Sequence, residues 1–244
     1  MCIHTSNTKT AKQNKERFEA EFSVPGIYEP YYKLSGYEFQ YSEKPRNLFI
    51  IRQNNYDQID PAYWSLVPEH FDLSQRKGWK YNTYNSRAYN ILSKKTKAAN
   101  YINNQRCIIL ADGVFEPHDR GDIKYPCYIK HEDHSLFALA GVYSELDDGL
   151  YTASIITVEA NPFFAEIHNT LKQGTYRMPL ILDPTDEVNW LSDDLMQGDI
   201  ESLLYSFTSK EFVSYPVMKE RGQPLDSFQG IQPYGYPPKQ QGLF

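Results

Sequence analysis

The sequence predicts a single α+β domain, built mainly from an antiparallel, barrel-like β-sheet with helices at its flanks. Its 244 residues fit one large domain, and its 41% hydrophobic content is enough for a core. Several short apolar runs are joined by short polar connections, as in antiparallel sheets. We expect the domain to span residues 1–219, and the Pro-, Gly- and Gln-rich segment 220–244 to run irregularly over the surface.

Apolar runs of strand length predict the strands of this sheet. They lie at residues 46–52, 106–111, 125–130, 136–143, 153–159, 178–182 and 212–218. The pair Asp112-Gly113, directly after the second run, is a turn signal. The short links between the later runs suggest an antiparallel meander.

Helices are predicted from spacing and from proline. Phe18 and Phe22 stand four residues apart in a polar stretch, which favours one helical face, and Asn161-Pro162 is a typical helix start. The predicted helices are 8–22, 163–169, one that begins at Pro184, and 196–204, which extends or follows it.

Composition excludes several classes of protein. Three cysteines form neither a disulfide framework nor a paired metal motif, so we expect a reducing, cytoplasmic location and no metal or cofactor. No apolar run approaches the ~18 residues of a membrane span. We also expect a monomer. The formal net charge of −6 argues, taken alone, against a nucleic-acid partner.

The charge is distributed unevenly. Residues 73–111 contain no Asp or Glu, and they interleave cations with tyrosines, asparagines and a tryptophan. The cations are Arg76, Lys77, Lys80, Arg87, Lys94, Lys95, Lys97 and Arg106. Cations for phosphates and aromatic faces for bases are the means of single-strand binding. A basic solvated face that balances acidic segments would give the same composition.

Cysteine is the second residue. Removal of Met1 would leave Cys2 with a free α-amine beside its thiol, and such a 1,2-aminothiol condenses with an aldehyde to a Schiff base and then closes a five-membered ring. At neutral pH part of the amine is neutral, since its pKa is about 7.7–8.0. The alternative is a frayed terminus in which this cysteine has no role.

Four polar positions stand where a plain core would have none. They are Asn85 with Arg87 in the acid-free stretch, Glu116 after ADGVF, His168 at the end of a predicted helix, and Arg177 at the start of RMPLIL. Structural roles are open to each. Glu116 and Arg177 could form an ion pair, and His168 could cap its helix.

The ordered set of an N-terminal Met-Cys, YNSRAYNI, RCIILADGVFEP, FALAGVYS, IITVEAN and Ile-His before RMPLIL resembles the SOS-response-associated peptidase family, whose members are abasic-site sensors and processors. The resemblance implies that Cys2 is catalytic with Asn85, Glu116 and His168. It also implies that Arg87 and Arg177 bind DNA phosphates. Trp64, in a segment similar to the family's tryptophan motif, and Lys80 are further predicted DNA contacts.

The implied partner is single-stranded DNA that contains abasic sites, with the protein at the nucleoid when such DNA is bound. The implied activities are a thiazolidine crosslink to the abasic sugar, self-removal of Met1 and strand cleavage by a lyase step. The family pattern is altered at a few positions. They are Ile3, His4, His70, Tyr89 and Pro117. An N-terminal-nucleophile amidohydrolase and a non-catalytic single-strand-binding module are the alternatives.

Overall fold

A computed structural model describes residues 3–171, 174–205, 208, 210–219 and 226–238. Its strands are β1 His4–Asn7, β2 Glu21–Phe22, β3 Tyr31–Ser35, β4 Asn47–Arg52, β5 Asn55–Trp64, β6 Asn85–Arg87, β7 Arg106–Ala111, β8 Gly113–Asp119, β9 Lys124–His131, β10 Phe137–Glu145, β11 Tyr151–Glu159, β12 Arg177–Pro179, β13 Ile181–Leu182 and β14 Phe212–Pro216. The α-helices are α1 Ala11–Phe18, α2 Glu38–Tyr41, α3 Ala88–Leu92, α4 Pro162–Ile167, α5 Pro184–Leu191 and α6 Gln197–Leu203.

The strands form two sheets, one of which closes on itself. Strands β11, β10, β7, β4 and β5 pair in that order, and β5 pairs back onto β11, which completes a ring. All of these pairs are antiparallel except β5 with β11. The second sheet has the order β14-β9-β8-β1-β3. The predicted α+β, barrel-like and mainly antiparallel fold is therefore confirmed.

The most apolar runs occupy the middle of the ring. Every residue of β7 is buried, and so are all residues of β10 except the last. Such runs without alternation are expected where a strand is covered on both faces. Here they place the main core inside and around the ring.

Helix α1 is shorter than the sequence predicts. The Thr10 side chain accepts a hydrogen bond from the Gln13 amide at its start, and Glu19 adopts a left-handed conformation (φ 52°) at its end. Phe22 is therefore not on the helix. It lies in β2, pairs in parallel with β5, and packs its ring against Tyr28 and Phe49.

The Asp112-Gly113 pair is not a hairpin turn. The chain bends at Asp112 from one sheet into the other, and Gly113 begins β8. Glycine is required there because a Cβ atom would lie 2.2 Å from the ring of Tyr128. The predicted meander is wrong for the same reason, since β8 and β9 pair in one sheet while β10 and β11 pair in the other.

The described part of the C-terminal segment packs onto the five-stranded sheet. Asp226 accepts hydrogen bonds from the backbone amides of Tyr32 and Lys33, and Ile231 is buried in a short 3₁₀ turn. Tyr236 stacks on Tyr125 of β9. The division into 1–219 and 220–244 remains a prediction, because residues 220–225 and 239–244 lie outside the described part.

Among the described residues, no helix has both the length and the apolar character that crossing a bilayer requires.

Candidate active site

A buried histidine–carboxylate contact is the centre of the candidate site. The Nδ1 atom of His168 lies 2.8 Å from Oε2 of Glu116, and their side chains are 3% and 0% exposed. Glu116 is delivered by β8, and His168 follows the last residue of α4. A carboxylate so close to one ring nitrogen fixes the orientation of the imidazole.

Local sequence fixes both ends of the helix that carries His168. The Asn161 side chain accepts the amide of Phe164 at 2.9 Å, with Pro162 in the first turn. At the other end, the side chain of Asn169 bonds the backbone of Asp119 in both directions, at 2.9 and 2.8 Å. The ring of His118 lies 3.0 Å from the Ile167 carbonyl. Sequence reasoning missed these supports, although His118 and Asn169 stand within two residues of Glu116 and His168.

Strand β11 brings the other predicted side chains together. It pairs in parallel with β6, which sets Asn85 opposite Ile155 and Arg87 opposite Thr157. On its other edge it pairs with β12, which sets Arg177 opposite Glu159. Positions in register, and two apart along a strand, share one face of a sheet. Asn85, Arg87 and Arg177 therefore share one face.

The charges of this face act on one another. Burial lowers the pKa of Arg177, and the positive charge of Arg87 lowers it further, while the negative charge of Glu116 raises it. Arg177 is thus close enough to Arg87 and to Glu116 to interact electrostatically with both. Nη2 of Arg87 also lies 3.4 Å from Oγ1 of Thr175, in the segment before β12. Two arginines on one face, on either side of β11, form a site where an anion is favoured.

Cys2 lies outside the described residues, but its neighbour Ile3 does not. The Ile3 carbonyl accepts the Gly36 amide at 2.9 Å, and Ile3 lines a cavity of about 270 Å³ together with His4 and Glu116. Consecutive Cα atoms are about 3.8 Å apart. The described chain therefore ends, on its N-terminal side, one residue from Cys2 and beside Glu116.

The two remaining predicted DNA contacts differ from each other. Trp64 is 1% exposed, and its indole N–H donates to the Tyr84 carbonyl at 3.0 Å, so it has no face for DNA and the prediction of a DNA contact is wrong for this residue. Lys80 is exposed and lines a second cavity, of about 420 Å³, with Tyr41 and Trp79. Its DNA contact stays a prediction.

The acid-free stretch as a whole does not form one binding face. Arg106 is fully buried, and its guanidinium donates to the carbonyls of Ile102, Asn103, Trp190 and Ser192. Tyr84 is buried as well. Composition alone could not distinguish the buried residues of this stretch, Arg106 and Tyr84, from its exposed residues.

The other cysteines are not candidates for the chemistry. Cys107 and Cys127 are free and buried, and burial raises the pKa of both thiols, that of Cys127 to about 11. Within the described residues no three His, Cys, Asp or Glu side chains converge as metal ligands. His131 stacks on Phe212.

Comparison with known proteins identifies the family. The family described as SOS response associated peptidase (SRAP) matches residues 1–224. "Abasic site processing protein YoaM" of Bacillus subtilis is 30% identical over 203 residues, which cover 81% of this chain and 82% of that protein. "Abasic site processing protein HMCES" of Gallus gallus is 32% identical over 152 residues, which cover 52% of this chain and 43% of that protein.

Solved structures agree. A crystal structure of a protein from Bacteroides thetaiotaomicron superposes with a TM-score of 0.79 at 29% identity and covers 96% of this chain and 100% of that one. One from Bordetella bronchiseptica, at 21% identity, shares the fold with a TM-score of 0.69 over 89% of this chain and 100% of that one. The resemblance seen in the sequence is thus confirmed, and the chain belongs to the SRAP family.

Proposed function

We propose that this protein recognises abasic sites in single-stranded DNA and binds them covalently through Cys2. The observation that carries the proposal is the buried contact between His168 and Glu116, because Glu116 lines the same cavity as Ile3, the residue that follows Cys2. The charges of Arg87 and Glu116 both act on Arg177, which shares a sheet face with Arg87. The relatives named as abasic site processing proteins support the same substrate. The partner is DNA, and the protein acts as a monomer.

The chemistry uses the aldehyde of a ring-opened abasic sugar. The α-amine of Cys2 adds to the aldehyde carbon, and loss of water gives a Schiff base. The thiol then adds to the same carbon while its proton goes to the nitrogen. One aldehyde and one aminothiol thus give one thiazolidine and one water, without an oxidant or a reductant.

Each neighbouring side chain has a role in moving protons or holding the sugar. His168 donates a proton to the sugar oxygen during ring opening and to the departing water, since histidine exchanges protons near neutral pH. Glu116 accepts a proton from the Cys2 amine or thiol. Asn85 holds the backbone of Cys2 or a sugar hydroxyl without adding charge.

Positive charge on the same face as Asn85 holds the DNA. Arg87 and Arg177 bind the phosphates that flank the abasic sugar, with a geometry suited to two hydrogen bonds per guanidinium. A bound phosphate relieves the repulsion between the two arginines, which share one face of the sheet. Lys80 contacts the strand farther from the sugar, in its aromatic-lined cavity.

Crosslinking to an oligonucleotide from which uracil has been excised tests the proposal on a denaturing gel. The wild-type protein should give a shifted band, and Cys2→Ala none. Cys2→Ser keeps the amine but not the thiol, so it should give a band only after borohydride reduction. A stable band from Cys2→Ala, or none from the wild type once Met1 is absent, would contradict the mechanism.

The same assay tests the proton-transfer roles. We expect His168→Ala and Glu116→Gln each to slow crosslinking about 10²-fold, which is typical for loss of a general acid or base. His70→Ala is the matched control, because that ring is 83% exposed and pairs with Asp147. Equal rates for His168→Ala and the control would remove His168 from the mechanism.

The two alternatives predict different results. An amidohydrolase would turn over small amides without DNA. A non-catalytic module would bind undamaged and abasic strands equally and would be indifferent to Cys2→Ala. Fluorescence anisotropy with matched oligonucleotides, beside an amide-hydrolysis assay, separates all three functions.

Processing of the N-terminus belongs to the same proposal, since a retained Met1 would block the amine. We expect the intact mass to be lower by one methionine residue. If the site itself removes Met1, Glu116→Gln should retain it. Full processing of that variant would assign the removal to an aminopeptidase instead. Heating the purified crosslink and analysing the products shows whether strand cleavage by elimination follows.

A further inference from the structure

The bend between β7 and β8 contains a buried carboxylate that no step of the proposed mechanism uses. Asp112 is 0% exposed, and it lies where the chain crosses from the closed ring to the five-stranded sheet. A buried carboxylate is unfavourable unless hydrogen bonds satisfy it. The donors that hydrogen-bond to Asp112 therefore indicate which part of the chain its carboxylate positions.

Most of the donors to Asp112 come from the N-terminal strand β1 and from Thr8, the residue that follows it. Oδ1 accepts the Ser6 hydroxyl at 2.7 Å, and Oδ2 accepts the Thr8 amide at 3.0 Å and the Thr8 hydroxyl. The Asp112 amide in turn donates to the Ser6 carbonyl at 2.9 Å. Nε2 of His134 completes the set, 3.2 Å from Oδ2.

A tyrosine closes the same cluster from the other side. The hydroxyl of Tyr128 lies 2.9 Å from Oγ of Ser6, and its ring packs so tightly over Gly113 that no Cβ would fit. Ser6 is therefore held between Asp112 and Tyr128, and all three side chains are buried. Because the cluster is close-packed, a shift of β1 along β8 would break the contacts of Ser6 with Asp112 and Tyr128.

The position of β1 matters because that strand is short and leads directly to Cys2. It has four residues, and its pairing with β8 sets His4 opposite Phe115, the residue before Glu116. A slip of one residue would turn every side chain to the other face of the sheet. A misplacement of reacting groups by about 1 Å can slow a reaction by about 10²-fold.

We infer that Asp112 is a positioning residue, which fixes the register of β1 and thereby holds the aminothiol of Cys2 against Glu116 and His168. The inference rests on the proposed function. It assigns Asp112 no contact with DNA or with the reacting atoms. Ser6 and Thr8 are the groups through which it acts.

Single-turnover crosslinking of abasic single-stranded DNA by Asp112→Asn tests this inference. The amide keeps the shape but replaces one acceptor oxygen by a donor group that faces other donors. We expect the maximal rate at saturating DNA to fall about tenfold or more. The DNA concentration for half-maximal rate should change less than twofold, because the arginines that bind phosphate are untouched.

Two further measurements separate positioning from damage to the protein. The α-amine and thiol of Asp112→Asn should react with a small free aldehyde as fast as those of the wild type, which shows that the aminothiol is present and unblocked. Ser6→Ala, which removes one donor, should show a smaller loss of maximal rate. It also serves as the test if Asp112→Asn does not fold.

Asp133→Asn is the matched control, because Asp133 lies in the same loop as His134 but is 62% exposed and pairs with Lys210. It should crosslink at the wild-type rate. A folded Asp112→Asn with an unchanged maximal rate, or a loss confined to the half-saturating concentration, would overturn the inference. A wild-type protein that does not crosslink would instead overturn the proposed function.

Discussion

Arg106 and Arg177 begin β7 and β12, two strands of the same sheet, yet they differ in what surrounds their charge. Arg106 donates to four backbone carbonyls, and burial lowers its pKa to about 10. Arg177 is half-buried, and its strongest charged neighbour is another arginine, Arg87. The guanidinium of Arg106 stabilises the fold by satisfying those carbonyls. The guanidinium of Arg177 is held where a neighbouring cation makes it less stable, as expected for a group that awaits an anion.

Arg106→Met tests the structural role that this comparison gives to Arg106. It leaves four carbonyls without their donor, so we expect the free energy of unfolding to fall by about 3–5 kcal/mol. Urea denaturation measures the change. Lys97→Met, an exposed lysine of the same acid-free stretch, is the control. A loss below about 1 kcal/mol for Arg106→Met would show that water replaces the guanidinium at little cost.

Arg177→Gln tests the DNA-binding role that the comparison gives to Arg177. We expect about tenfold weaker binding of abasic single-stranded DNA and a salt dependence reduced by about one counterion. Stability should be unchanged or slightly higher, because repulsion from Arg87 is removed. Anisotropy titrations at several salt concentrations measure both. Lys12→Gln, at an exposed position of α1, should leave the salt dependence as it is, and an equal effect of both variants would argue against a specific phosphate site.

The smallest expected effect concerns His4, where the family pattern is altered. Burial and the nearby charge of Lys33 lower its pKa to about 3. The unfolded chain then binds a proton below about pH 6.5 that the folded one does not, so stability rises with pH between about 3 and 6.5. Lowering the pH from 6.5 to 5 should cost the wild type about 1–2 kcal/mol more than His4→Gln.

Thermal or urea unfolding at the two pH values checks this difference. His70→Gln is the control, because Asp147 raises the pKa of His70 and its contribution has the opposite sign. If His4→Gln keeps the full acid slope of the wild type, the His4 ring is solvated and its burial does not govern the titration.

The sequence predicted the ring strands better than the strands that place the site. β7, β10 and β11 are continuous apolar runs, so their burial could be recognised directly. β1 and β6 are short and polar; β1 lies between β3 and β8, β6 pairs with β11, and serines of both strands hydrogen-bond to side chains of other strands. Periodicity has no signal for such strands.

The site shows the same limit. Residue types at the ends of apolar runs pointed to Glu116, His168 and Arg177 as unusual, but only the registers of β11 could place the arginines on one face. The sequence does not distinguish an aromatic residue that contacts DNA from one that packs in the core, and Trp64 is of the second kind. The Asp112-Gly113 pair predicts a turn, because nothing in the sequence reveals the donors Ser6 and Thr8, which stand more than a hundred positions away from Asp112.

The burial of Cys107 and Cys127 has a practical consequence for labelling. The chain has three cysteines, and two of them are shielded thiols whose raised pKa leaves hardly any thiolate at neutral pH. A maleimide or iodoacetamide reagent added to the native protein should therefore alkylate Cys2 alone. Fluorophores, spin labels or inhibitory warheads can be attached there without first mutating the other two.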